Sequence, residues 1–294
     1  MSLFKDRRLS WESAGADWPN REASRFVEAG GICWHVQEMG PQDVPALLLL
    51  HGTGASTHSF RDLMPLLARE YRVIAPDLPG QGFSETPGRE GLTLWGMGTL
   101  IANLLDALGT KPAVVAGHSA GGAIAIQMAI AGQIEPERLV AMNAALEPFP
   151  GSSFFSPMAK ILFMNPFVPR LFSFRARLSD IAGFVESSTN SQIDDVGKRC
   201  YEKLLQTPDH VGGALGMMAN WDLGSLQTRL RHLKVPLVLV IARNDATVSP
   251  EVSERAARKA PDATLIAFET GGHLLHEVNP EAIAEIIAGR QIDA

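Results

Sequence analysis

Short, wholly apolar runs alternate with segments of helical periodicity along most of this chain. Residues 45–50 (PALLLL), 112–116 (PAVVA) and 235–242 (VPLVLVIA) are apolar at every position. A strand apolar on both faces belongs inside a parallel sheet covered by helices. Further strand patterns fall at 71–76, 138–142 and 263–268. Segments 24–28 and 32–38 alternate around Gly30-Gly31, which predicts an antiparallel hairpin. Apolar spacing predicts helices over 58–69, 94–108, 120–131, 250–259 and 280–289. Strands separated by helices of this length imply right-handed crossovers. The predicted class is therefore α/β, a mostly parallel sheet of about eight strands with helices on both faces.

The interval 143–234 breaks the alternation. Its length is far beyond that of a connecting loop. Helical patterns occur at 192–205 and 210–218, and six of the chain's 13 phenylalanines lie between 150 and 174. The expected organisation is a core of residues 1–143 and 235–294, with a mainly helical cap, 144–234, inserted between two core strands.

Composition adds exclusions. A chain of 294 residues, 46% apolar and 20% charged, is ordinary for a large globular domain and rules out disorder, collagen and coiled coil. A net charge of -6 argues against a nucleic-acid partner. Only Cys33 and Cys200 are present, far apart and outside any C-x-x-C pair, so neither a zinc site nor a disulfide framework is expected. The first residues lack the apolar stretch of a signal peptide, and no run of 18 apolar residues exists. The expected compartment is the cytoplasm, without a transmembrane segment.

The chemistry concentrates at Gly117-His118-Ser119-Ala120-Gly121, placed after one buried strand and before a helix. This is the G-x-S-x-G nucleophile elbow in the strand–turn–helix context that it requires. A serine on so tight a turn takes a strained conformation, and only glycine fits two residues to either side. The serine needs a base. Of eight histidines, His273 follows the last strand on a Gly271-Gly272 turn, and His276 is the weaker candidate, better suited to packing at the rim. An acid must orient that imidazole. Asp245, just past the strand 235–242, is preferred to Asp222 in the cap, because Ser119, Asp245, His273 is the chain order this arrangement demands. The oxyanion donors expected are the backbone N–H groups of Ala120 and Thr53, with Gly54 next in line. His51 reads as a brace for the glycine-rich loop 51–54, and Asp77 as a turn cap.

A serine rather than an aspartate at the elbow excludes carboxylate-attack chemistry on halides or epoxides. Acyl transfer remains: esters, thioesters, amides, or the carbon–carbon bond of a β-diketone. No metal or organic cofactor is required, and neither H-E-x-x-H nor a phosphate-binding G-x-x-x-x-G-K-[ST] occurs. Phe154, Phe155, Phe163, Phe167, Phe172 and Trp221 are the candidates for an apolar substrate pocket in the cap, the alternative being that they pack the cap onto the core.

These motifs together resemble the α/β-hydrolase superfamily over about residues 24–290, which implies an α/β-hydrolase fold. More narrowly, DWPNREASRFVEAGGICWHVQEMG (17–40), HGTGASTHSFRDLMPLLA (51–68), SPMAKILFMNPFVPRLFSF (156–174) and MMANWDL (217–223) are similar to the magnesium-chelatase accessory proteins of bacteriochlorophyll-making bacteria. That resemblance implies a porphyrin substrate, transient association with magnesium chelatase, and a part in magnesium insertion into protoporphyrin IX or another early porphyrin step. It carries the nucleophile to Ser119, the base to His273, the acid to Asp245 and the oxyanion donors to Thr53 and Ala120. Gln81, in DLPGQGFS, departs from the histidine common among relatives. The readings to separate are a serine hydrolase, a porphyrin-binding or chelatase-assisting protein that keeps the triad without using it, and a diketone hydrolase. Contact with a membrane surface through the aromatic cap is a further expectation.

Overall fold

A computed structural model describes residues 8–148, 165 and 167–290. Eight strands form one sheet: β1 (Ser24–Ala29), β2 (Ile32–Met39), β3 (Ala46–Leu50), β4 (Arg72–Pro76), β5 (Val114–His118), β6 (Arg138–Met142), β7 (Leu237–Ala242) and β8 (Ala263–Phe268). Their order is β1-β2-β4-β3-β5-β6-β7-β8. The hairpin β1–β2 joins one edge antiparallel, and β4 through β8 run parallel. Every residue of β3 and β5 is buried, as their unbroken apolar runs required. This is the α/β-hydrolase fold.

Helices cover both faces. Besides a single turn, α1 (Trp11–Ala14), the core holds α2 (Leu63–Leu67), α3 (Leu94–Ala107) and α4 (Ala120–Ile130) ahead of the cap. The cap contributes α5 (Phe167–Ala176), α6 (Ile181–Thr189), α7 (Asp195–Leu205), α8 (Pro208–Asn220) and α9 (Leu223–Arg229). The core closes with α10 (Pro250–Ala257), α11 (Leu275–Val278) and α12 (Pro280–Ile287). One helix departs from its expected extent. Instead of a continuous helix over 58–69, a 3₁₀ turn (Thr57–Phe60) precedes the short α2. Pro65 lacks an N–H and its ring conflicts with the carbonyl four residues earlier, so the helix restarts at Leu63 and places Pro65 in its first turn.

The cap is joined to the core by a buried polar cluster. Glu277, on α11, accepts from Arg61 Nη1 (2.6 Å), Ser59 Oγ (2.7 Å) and the hydroxyl of Tyr201 on α7 (2.7 Å). Arg61 also donates to Asp194, which caps α7. Burial raises the Glu277 pKa despite the opposing pull of Arg61, Ser59 and Tyr201. Three chain segments thus converge on one carboxylate.

Candidate active site

Strand β5 ends against the N-terminus of α4 with one residue between them. Ser119 sits there at φ 50° and ψ −112°, a conformation that L-residues adopt rarely. The turn is this tight because the flanking glycines let backbones touch. A Cβ on Gly121 would overlap the carbonyl of Leu50, and one on Gly117 would overlap the backbone of Gly121. Ser119 N–H is tied to the Met142 carbonyl of β6 (2.9 Å), so the neighbouring strand fixes the elbow as well.

His273 lies beyond β8 and Asp245 beyond β7, which puts both at the same sheet end as Ser119. Nδ1 of His273 is 2.8 Å from Oδ2 of Asp245, and that carboxylate is fully buried. Asp245 is held in turn by three donors: Asn143 Nδ2 to Oδ2 (2.7 Å), and the Thr247 and Val248 N–H groups to Oδ1 (2.8 and 2.9 Å). Ser119 and His273 line one cavity. Ser119, Asp245 and His273 form a Ser–Asp–His catalytic triad. Acceptance by Asp245 leaves Nδ1 of His273 as the protonated nitrogen and turns the basic Nε2 to the other side of the ring.

The cap helps to hold the triad loops. His273 N–H donates to the Thr189 carbonyl (2.7 Å), and Ser191 Oγ both donates to Gly271 O (2.8 Å) and accepts from Leu274 N–H (2.9 Å). Thr247 Oγ1 donates to Ser188 O (2.9 Å) and Asn190 Nδ2 to Asn244 O (2.9 Å). Residues 188–191 therefore grip the acid loop and the base loop together. From the elbow itself, His118 Nε2 donates to His273 O (2.8 Å). Burial and the neighbouring His276 and His273 keep the His118 pKa well below its ordinary value, so it stays neutral.

The cavity measures about 850 Å³. Its wall includes Ala145, Phe184, Val185, Leu205, Met217 and Leu223, which make it largely apolar, and Thr53 and Ala120 border it beside the triad. Trp221 is among the residues that line it. Phe167 and Phe172 do not: both are exposed on α5, 69% and 53%, because that helix turns Val168 and Ser173 inward instead. Phe154, Phe155 and Phe163 lie outside the described residues. Asp222 stands at the cavity edge and caps α9 through Ser225 N–H, leaving the His273 partnership to Asp245. His276 donates Nε2–H to Ser59 Oγ (2.7 Å) and packs against the rings of Phe60 and His118; burial and His273 lower its pKa to about 3. Asp77 accepts from the Thr57 and Phe83 N–H groups and pairs with His35, a turn cap as expected.

Sequence reasoning missed Asn143, the 188–191 segment, Phe184 and Met217. An asparagine ending a buried strand was a readable signal. The others depend on how the cap folds over the core.

The alpha/beta hydrolase fold family matches residues 45–280. The chain is 43% identical to "Magnesium-chelatase 30 kDa subunit" of Rhodobacter capsulatus, over 92% of this chain and 95% of that protein. It is 29% identical to "2-hydroxymuconate semialdehyde hydrolase" of a Pseudomonas species, over 86% of this chain and 88% of that protein. Among solved structures, an alpha/beta hydrolase fold protein from Burkholderia ambifaria superposes with a TM-score of 0.75 at 22% identity, covering 91% of this chain and 98% of that one.

The carboxylate of Asp245 is the group the triad geometry depends on. In Asp245→Asn, an amide N–H would face the His273 nitrogen that now donates, or Asn143. Turnover of an activated ester should fall by about 10⁴-fold while the fold is kept, checked by steady-state kinetics beside thermal unfolding. A loss under tenfold would contradict the assignment.

Proposed function

Because the chain belongs to the alpha/beta hydrolase fold family, we propose that it is a serine hydrolase cleaving an ester or related acyl bond of a large apolar substrate. The observation that carries this reading is the triad opening onto an apolar cavity of about 850 Å³. Ser119 Oγ attacks the carbonyl carbon as His273 Nε2 takes its proton. The N–H groups of Thr53 and Ala120 receive the oxyanion. His273 then protonates the leaving group, and water activated by the same nitrogen releases the acyl group from Ser119. Asp245 keeps its hydrogen bond to Nδ1 throughout.

The physiological setting we infer is magnesium-porphyrin and bacteriochlorophyll synthesis, with a porphyrin ester as substrate and transient association with magnesium chelatase. The similarity to the Rhodobacter capsulatus protein supports it, and the cavity's size and apolar wall suit a flat macrocycle. A diketone carbon–carbon hydrolase is the second reading, favoured by the 29% identity to the semialdehyde hydrolase.

No described helix is long and apolar enough to cross a membrane. Peripheral contact at the cytoplasmic face of the membrane is the localisation proposed, and α5 supports it. Phe167, Leu171 and Phe174 recur along one face of that helix and are each more than half exposed. Arg170, Arg175 and Arg177 flank them, and residues 165–179 contain no acid. Apolar side chains flanked by cations suit an anionic lipid surface.

Two outcomes follow. Across p-nitrophenyl esters of increasing acyl length, kcat/KM should rise with apolar area, and Ser119→Ala should lose several orders of magnitude at every length. Fission of a β-diketone without ester turnover would transfer the assignment to the second reading. The chain should also sediment with phosphatidylglycerol vesicles at low salt more than with phosphatidylcholine vesicles. Protein left wholly in the supernatant would contradict the docking proposal.

A further inference from the structure

The loop 52–55 that carries the Thr53 N–H is held at consecutive peptide groups by buried side chains. His51 Nε2 accepts from Leu78 N–H (2.8 Å), which leaves the proton on Nδ1 to donate to Gly52 O (2.8 Å). In a trans peptide the N–H lies opposite the carbonyl, so anchoring Gly52 O toward His51 turns Thr53 N–H away from it. The next peptide is fixed by Gln81, whose Oε1 accepts from Gly54 N–H at 2.7 Å. Gly54 takes φ 79°, a left-handed conformation suited to glycine. Its carbonyl accepts from His210 Nε2 at 3.2 Å.

His210 does not belong to the core. It lies on cap helix α8 and is 2% exposed. Its Nδ1 accepts from Gly82 N–H (2.9 Å), which leaves Nε2 as the donor toward Gly54. Burial lowers its pKa to about 4, so this neutral form persists at ordinary pH. The helix can approach so closely because Gly213 lies flush on Gly80, where any Cβ would overlap the Gly80 carbonyl. Gln81 Nε2 also points to Met217 Sδ on the same helix (3.6 Å). Turn 78–82, the loop 52–55 and α8 are therefore one hydrogen-bonded unit.

We propose that His210 and Gln81 are positioning residues for the oxyanion loop, so that a cap helix helps to set the geometry of the catalytic N–H at Thr53. The inference rests on the serine-hydrolase reading and deepens it. The same helix presents Met217, Met218 and Ala219 to the cavity, so a substrate filling the cavity presses on the element that holds the loop. The acceptor role also explains why glutamine serves at position 81: its amide oxygen accepts from a backbone N–H at all pH values, whereas an imidazole there does so only in its neutral form with the right tautomer.

The test compares the parent with His210→Asn, His210→Gln and Gln81→Met. Asn mimics Nδ1 and keeps a partner for Gly82, whereas Gln has the reach of Nε2 and restores a donor to Gly54. Met fills the space of Gln81 and leaves Gly54 N–H without its acceptor. Each is assayed for kcat and KM on a p-nitrophenyl ester and for affinity toward an alkyl boronic acid, which forms a tetrahedral adduct on the serine. Thermal unfolding confirms the folded state. His210→Asn and Gln81→Met should lower kcat and boronate affinity together by about tenfold or more, with KM within about twofold, and His210→Gln should recover most of the loss. Parent-like kcat and boronate affinity in folded His210→Asn and Gln81→Met would overturn the proposal, as would equal losses in His210→Asn and His210→Gln. A parent that neither hydrolyses the ester nor binds the boronate would remove the serine-hydrolase reading, and this one with it.

Discussion

The molecule depends on one backbone constraint: Ser119 held at positive φ between a strand end and a helix start. A residue in that region costs on the order of 1–3 kcal/mol and persists only where its surroundings over-determine it. Here they do. Gly121 rests against the Leu50 carbonyl of β3, Gly117 against Gly121, and β6 takes the Ser119 N–H. The fully buried strands β3 and β5 lie side by side at the centre of the sheet, so the elbow sits on the least yielding part of the fold. The parallel order then delivers Asp245 and His273 to the same edge from β7 and β8.

The second principle is that the cap is part of the catalytic scaffold as well as a roof. Residues 188–191 bind the acid and base loops, and α8 meets the loop of Thr53 and Gly54. Tyr201 reaches Glu277 on α11, the helix that follows His273 in the chain. The Ser191, His210 and Tyr201 contacts are buried or half-buried, where an unmatched polar group is expensive. Movement of the cap therefore has consequences for alignment at the nucleophile, and the buried carboxylate of Glu277 resists that movement.

Much of this was legible in the chain. The strands announced themselves because a doubly covered sheet demands unbroken apolar runs, and the triad because local turns and chain order fix it. The short α2 escaped because Pro65 outweighed an otherwise helical pattern. The cap was legible only as helical. Which face of α5 points inward is decided by packing against α7 and α8, so Phe167 and Phe172, natural pocket candidates by composition, face outward. Phe184 and Met217, in weaker patterns, took their place at the cavity wall. Asn143 had a local signal in its place at the end of a buried strand, but His210 acts through a contact more than 100 residues away in sequence, which no local pattern encodes.

The most direct test of the central claim is the intact mass of the protein after exposure to an alkyl fluorophosphonate, run beside Ser119→Ala. Attack by Ser119 Oγ forms the O–P bond and expels fluoride, which requires an activated nucleophile. The account predicts a single adduct on the parent and none on Ser119→Ala. An unmodified, folded parent, or an adduct that survives the substitution, would contradict it.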